Sequence, residues 1–331
     1  MRKADSRKAP RTMPEAEYAR RPAEGTRRGL NPWVVCCALV GVLVACGGQV
    51  PQAAPIISTA DVHHFVDAAR RITPADSTCA ALADYFANGS DGLAAYSRKF
   101  SMTRADLCLA VRTHPARYAA LDSVLPTLDS AAASSRAVSA RLLALDPAAR
   151  LPNVYVVVGN GISGGTTVGM RSPAVLVGAE LMRSASGLPW TVAHELAHTQ
   201  QHYPWWGMLT GGPRFMRATL LRQSLTEGIA DVVAEFLTGN PKHNAYGESH
   251  EVDLWSEFQR DMHGHDYAGW LYGARKAGKP DRPNDLGYWI GYRIAKSYLD
   301  RASDKPRAVR DMLAIRDFDE FLVSSGYQGG R

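Results

Sequence analysis

Cysteine is scarce in this 331-residue chain: there are five, at positions 36, 37, 46, 79 and 108, and no CxxC pair. A cysteine-built zinc site is therefore excluded. Also missing is an apolar run of the roughly 20 residues that a helix needs to cross a bilayer; the stretch WVVCCALVGVLVA, 33–45, stops at thirteen. Charge of one sign is missing too. The formal net charge is +6, but residues 1–32 hold nine Lys/Arg against four acids, so the rest of the chain is nearly neutral. Beyond residue 32 no basic stripe with interleaved aromatics follows, which excludes a nucleic-acid partner. No internal repeat or low-complexity segment is present.

What the N-terminus does contain is a basic segment followed by a short apolar one, the make-up of an export signal. Its end, Leu43-Val44-Ala45-Cys46, resembles the lipobox of bacterial lipoproteins. That resemblance implies a signal peptide over residues 1–45, cleavage before Cys46, and acylation of Cys46 as a lipid anchor to a membrane of the cell envelope. Gly47 in place of an Asp points to the periplasmic face or the outer membrane. Residues 46–60, including GGQVPQAAPIIS, are then a flexible tether. With Cys36 and Cys37 removed and Cys46 lipidated, Cys79 and Cys108 remain; in an exported domain they suit one disulfide, the alternative being two buried thiols.

From Asp61 to about residue 150, apolar residues recur at spacings of three and four, which predicts a helical N-terminal portion. Asp61, Asp76 and Thr103 suit helix N-caps and Gly89 a stop. The period changes at Asn153. NVYVVVG reads as a buried strand, and TTVGM and AVLVGAE continue a β region after a glycine-rich turn. Helical periodicity returns at Leu188 and dominates to the end. The class is α+β: mostly helical, with a small mixed or antiparallel sheet, and with residues 151–331 as the domain that follows the helical portion.

The turn GNGISGG, 159–165, matches two nucleotide and hydrolase patterns at once. GxGxxG requires a helix to open at its third glycine, facing a pyrophosphate; GxSxG requires a helix after Ser163 to aim its hydroxyl. The β-branched sequel Thr166-Thr167-Val168 favours a tight loop feeding an edge strand instead, able to hold an extended peptide. Glu180, about 20 residues on, then has a structural use.

TVAHELAHTQQHYP, 191–204, carries the strongest chemical signal. Residues i and i+4 stack about 6 Å apart along one helix face, so His194 and His198 can address one ion, with Glu195 beside them as a general base. His202 lies about 12 Å along the axis from His194 and cannot complete that site. The best third ligand is Glu227 in SLTEGIADVVAEF, with Asp231 one turn further along the same face to accept a ring N–H from a ligand histidine. For an oxyanion donor, Tyr288 and Tyr292 in GYWIGYRIA are the candidates; His243, His250, His263 and His265 suit the surface better.

These two segments resemble the thermolysin-like gluzincins, in which HExxH is followed on a second helix by a ligand Glu and, four residues later, an Asp. A wider likeness, carried by DVHHFVDAA, SGGTT, VLVGAE, HELAHTQQ, TEGIAD and LGYWIGYRIAKSYLD, is to predicted zinc-dependent proteases of bacteria, distantly related to gliding-motility lipoproteins of the GldB type. The resemblance implies a zincin-like core, one Zn2+ ion, and a peptide or protein as substrate. It also implies hydrolysis by a metal-activated water whose proton Glu195 takes and passes to the leaving amine. Two other functions remain open from the residues alone: a non-catalytic zinc-binding lipoprotein scaffold, and a serine hydrolase using Ser163.

Overall fold

Ile57 and Ser58, two residues with no period to read, open the fold as strand β1 (Ile57–Ser58) in a computed structural model that describes residues 54–169, 173–203, 218–273 and 281–330. Ile57 is buried and pairs in parallel with Val154. The tether expected over 46–60 therefore ends sooner, because its last residues belong to the sheet. Cys46, the signal segment and the start of the tether lie outside the described residues.

Helices α1 (Ala60–Ala69), α2 (Leu82–Ala87), α3 (Asp91–Phe100), α4 (Arg104–Thr113), α5 (Pro115–Ala119) and α6 (Leu121–Leu145) follow. Thr103 caps α4, and Asp106 returns the bond to the Thr103 backbone, which satisfies two end donors at once. Asp61 does not cap α1. It lies inside that helix, buried, and its carboxylate accepts the backbone N–H of Ser90 at 2.9 Å and the Ser90 hydroxyl; Ser90 in turn caps α3. Asp76 holds the turn before α2 by accepting the N–H groups of Thr78 and Ala80. A disulfide joins Cys79 in that turn to Cys108 on α4, 29 residues away.

Strands β2 (Asn153–Val157), β3 (Gly165–Val168) and β4 (Ala174–Gly178) complete a four-stranded mixed sheet of order β1-β2-β4-β3 among the described residues. β2 is parallel to β1 and β4, and β3 is antiparallel to β4 at the edge. The valines of β2 and β4 are buried, as expected of strands covered on both faces. The fold is thus α+β and mostly helical. No helix among the described residues is long and apolar enough to cross a membrane.

The remaining elements are α7 (Leu188–Gln200), α8 (Leu220–Thr238), α9 (Ala245–Ser249), α10 (Glu251–Asp261), α11 (Leu286–Arg301), α12 (Lys305–Leu313) and α13 (Phe318–Ser325). α7 lies against α6 and the β3–β4 edge, and α8 packs between α7 and α11. α8 is buried along most of its length, so it reads as apolar on nearly every side. α8 and α11 touch backbone to backbone: a Cβ on Gly228 would sit 2.0 Å from the Gly291 carbonyl carbon, and one on Gly291 would sit 1.8 Å from the Ser224 carbonyl oxygen. The glycines of TEGIAD and GYWIGY are explained by this crossing, which sets the depth of α8.

Gly228→Ala or Gly291→Ala should therefore cost about 3 kcal/mol or more through overpacking, seen as a Tm lowered by roughly 6–12 °C. Replacing Cys79 and Cys108 together by Ala should cost about 3 kcal/mol, measured by urea unfolding; an unchanged midpoint would show that the cross-link contributes nothing.

Candidate metal centre

The cluster begins with the face of α7 opposite its apolar one. Val192, Ala193, Leu196 and Ala197 are buried in the core, which turns His194 and His198 outward together, with their ring planes nearly perpendicular and their centroids 4.7 Å apart. Each ring is oriented from behind. His194 Nδ1 lies 2.8 Å from Asp231 Oδ1, and because a carboxylate accepts only, the ring must donate there. His198 Nδ1 lies 2.9 Å from Gln201 Oε1, while Gln201 Nε2 donates to the Thr226 carbonyl at 2.7 Å. That second bond fixes the amide, so Gln201 presents its oxygen and His198 Nδ1 also donates. Both Nε2 atoms are thereby left pointing inward as the ring nitrogens open to a metal, which binds them in their unprotonated form.

The third donor arrives from α8. Glu227 Oε2 stands 3.5 Å from His194 Nε2 and 3.3 Å from His198 Nε2, and the two Nε2 atoms are 3.1 Å apart. A tetrahedral zinc ion with bonds of about 2.0–2.1 Å sets its donors about 3.3–3.4 Å apart. The triangle fits that requirement without rearrangement, and these three residues can hold a metal ion.

The electrostatics agree with the geometry. Burial works against a charged His194 ring, but Asp231 and Glu227 outweigh it and lift its pKa to about 10. Burial likewise opposes the Glu227 carboxylate, yet His198 and His194 hold it below the usual carboxylate range. The environment thus favours positive charge between the donors, and a metal would take the place of the proton on His194.

Glu195 is buried but is not among the three donors. Burial raises its pKa, partly offset by His198 and His194. Its carboxylate lies under the edge strand: the Thr167 hydroxyl is 3.4 Å from Oε2, and a Cβ on Gly165 would stand 2.4 Å from Oε1. Gly165 therefore lets β3 lie directly on the carboxylate. The glycine-rich turn has this positioning use, and neither of the two patterns it spells is realised. Glu180 fills the turn by accepting the N–H groups of Gly159 (2.9 Å) and Gly161 (3.0 Å), which leaves those donors unavailable to a pyrophosphate. Ser163 donates to the Gly165 carbonyl at 2.7 Å and is followed by β3, not by a helix.

These groups open into a cavity of about 1040 Å³. Tyr288 lines it, but Tyr292 does not. The expectation for Tyr292 is corrected: its hydroxyl donates to Glu235 at 2.5 Å, two turns beyond Glu227 on α8. A step of four residues on α11 moved the side chain along the α8 axis, away from the cluster. Tyr272, which carried no signal in the sequence, takes a place on the wall with its hydroxyl 3.4 Å from Glu227 Oε1. Its φ of 59° is an uncommon backbone state for a bulky residue. Burial and the Glu227 charge raise the pKa of both Tyr272 and Tyr288, so both hydroxyls stay protonated. His202, His243, His250, His263 and His265 do not line the cavity.

Gln201 and Lys242 also escaped the sequence. Gln201 sits just past the end of α7, where the chain turns back on His198. Lys242 follows α8 in a loop, and its ammonium contacts Asp231 Oδ2. A polar residue after a helix is ordinary, and only the fold brings these two behind the rings.

No curated protein and no solved structure matches the chain. A family model does, over residues 147–316, from the loop before β2 to just past α12, and that span contains every residue of the cluster. By this match the chain belongs to the DUF2268 family, described as predicted Zn-dependent protease.

Proposed function

We propose that this protein is a zinc-dependent peptidase of the gluzincin type with a zincin-like core, binding one Zn2+ through His194, His198 and Glu227. We further propose that it is exported and held to the cell envelope by lipid on Cys46. The observation that carries the reading is the convergence of two Nε2 lone pairs and one carboxylate oxygen, 3.1–3.5 Å apart, beside a buried carboxylate that takes no part in the triangle. A structural zinc site has no need of that additional carboxylate, which is why a catalytic reading is favoured over a scaffold.

When bound, zinc would polarise a carbonyl and acidify a water. Glu195, its pKa raised by burial, is suited to take a proton from the attacking water and return it to the leaving amine. Asp231 and Gln201 keep the two rings in the donor tautomer. Tyr288 and Tyr272, as protonated hydroxyls on the wall, can donate to the developing oxyanion. The β3 edge beside Glu195 offers main-chain groups to an extended peptide. Lys99 and Ser163 already donate to the Thr167 and Gly165 carbonyls there, so a bound strand would have to replace them.

The test is cleavage of a diverse peptide library by the purified protein, alongside metal analysis. The wild type should contain about one zinc and cleave; His198→Ala should lose the metal. Glu195→Gln should keep zinc and lose about 10²- to 10⁴-fold in kcat, while Ser163→Ala should stay near wild type. Zinc retained with no cleavage of any peptide would give the scaffold reading, and activity surviving metal loss would end the peptidase proposal. Of Tyr272→Phe and Tyr288→Phe, the one that removes the oxyanion donor should lower kcat about 10²- to 10³-fold with zinc content unchanged.

A further inference from the structure

We propose that Lys242 is a positioning residue of the metal centre: by gripping Asp231 it fixes the ring of His194 and balances the charge of the cluster. The inference rests on the zinc reading above and concerns a residue outside every motif of the sequence.

Asp231 is fully buried, and its two oxygens are divided between two partners. Oδ1 takes the His194 Nδ1–H at 2.8 Å and Oδ2 takes the Lys242 ammonium. The Lys242 side chain is itself largely buried. Its Nζ lies 5.9 Å from the ring centroid of Trp190 on α7 and 5.4 Å from that of Tyr288 on α11, both within reach of a cation–π attraction. Trp190 in turn stacks on the His194 ring at 5.5 Å. One ammonium therefore touches α7, α8 and α11, each through a side chain lining the cavity.

Charge gives the second reason. Glu195, Glu227 and Asp231 are three carboxylates in one buried cluster. Lys242 sets a positive charge directly on one of them, Asp231, on the side of His194 away from the metal donors. Without it, Asp231 would lose the partner of its Oδ2, and removing one member of a buried ion pair leaves the desolvation cost of the other uncompensated. The least costly response is for Asp231 to turn toward water, which would release the His194 ring from its donor orientation.

The test measures zinc affinity of the purified protein by competition with a chromophoric chelator, and the visible absorption of the Co2+-loaded form. Lys242→Met should weaken zinc binding about 10- to 100-fold, the usual effect of losing an outer partner of a ligand histidine, and should alter the Co2+ spectrum. Lys242→Arg, which keeps the charge and the donor, should restore most of the affinity. Asp231→Asn should weaken binding similarly, and adding Lys242→Met to it should change affinity less than about threefold, because the two residues act through one bond. The double variant removes both charges together, so the comparison stands even if Lys242→Met alone fails to fold. Wild-type affinity in Lys242→Met, or losses that multiply in the double variant, would overturn the role of Lys242. If the wild type and His198→Ala bind zinc alike or not at all, the metal reading itself falls, and this inference falls with it.

Discussion

Two hydrogen bonds made behind the imidazoles govern everything in front of them. Asp231 and Gln201 each accept an Nδ1–H, and those bonds turn both Nε2 atoms toward Glu227 Oε2. Were either ring free to flip, the cluster would be two histidines near a glutamate, a common arrangement with no chemical direction. The orientation in turn depends on α8, which brings Glu227 and Asp231 one turn apart, the first in front of His194 and the second behind it. The position of α8 is set by bare backbone contact with α11 at Gly228 and Gly291. A packing constraint in the core thus bears on where Glu227 and Asp231 stand at the centre.

Burial opposes the charge on both acidic groups, but the imidazoles make the outcomes differ. Glu227 faces two imidazoles and is held ionised, whereas desolvation dominates for Glu195, which is pushed toward holding a proton. Carboxylates whose environments push their pKa values apart fit the roles proposed above, one as ligand and one as acid and base. The edge strand contributes by lying on Glu195 through Gly165, so the surface that can receive an extended chain and the group that can handle its proton are one structure.

The sequence carried more of the centre than of its surroundings. His194, His198, Glu227 and Asp231 were legible because helical spacing converts directly into a shared face, and each pair lies on a single helix. Tyr292 shows the limit of the same rule: it lies one turn from Tyr288, but a turn along α11 leads away from the cluster toward Glu235. Asp61 suits a helix cap on local grounds, yet its carboxylate serves Ser90, 29 residues away. β1 was lost in the tether because two residues have no period.

What the sequence by itself determined is the α+β class, the helix that carries HExxH and the helix that carries Glu227 and Asp231, since periodicity and i,i+4 spacing are properties of the local chain. Only the tertiary structure decided that these helices meet at bonding distance, that Gln201, Lys242 and Tyr272 join them, and that Tyr292 does not. Those facts depend on how helices cross and how loops return, and such relations between residues distant in the chain leave no period behind.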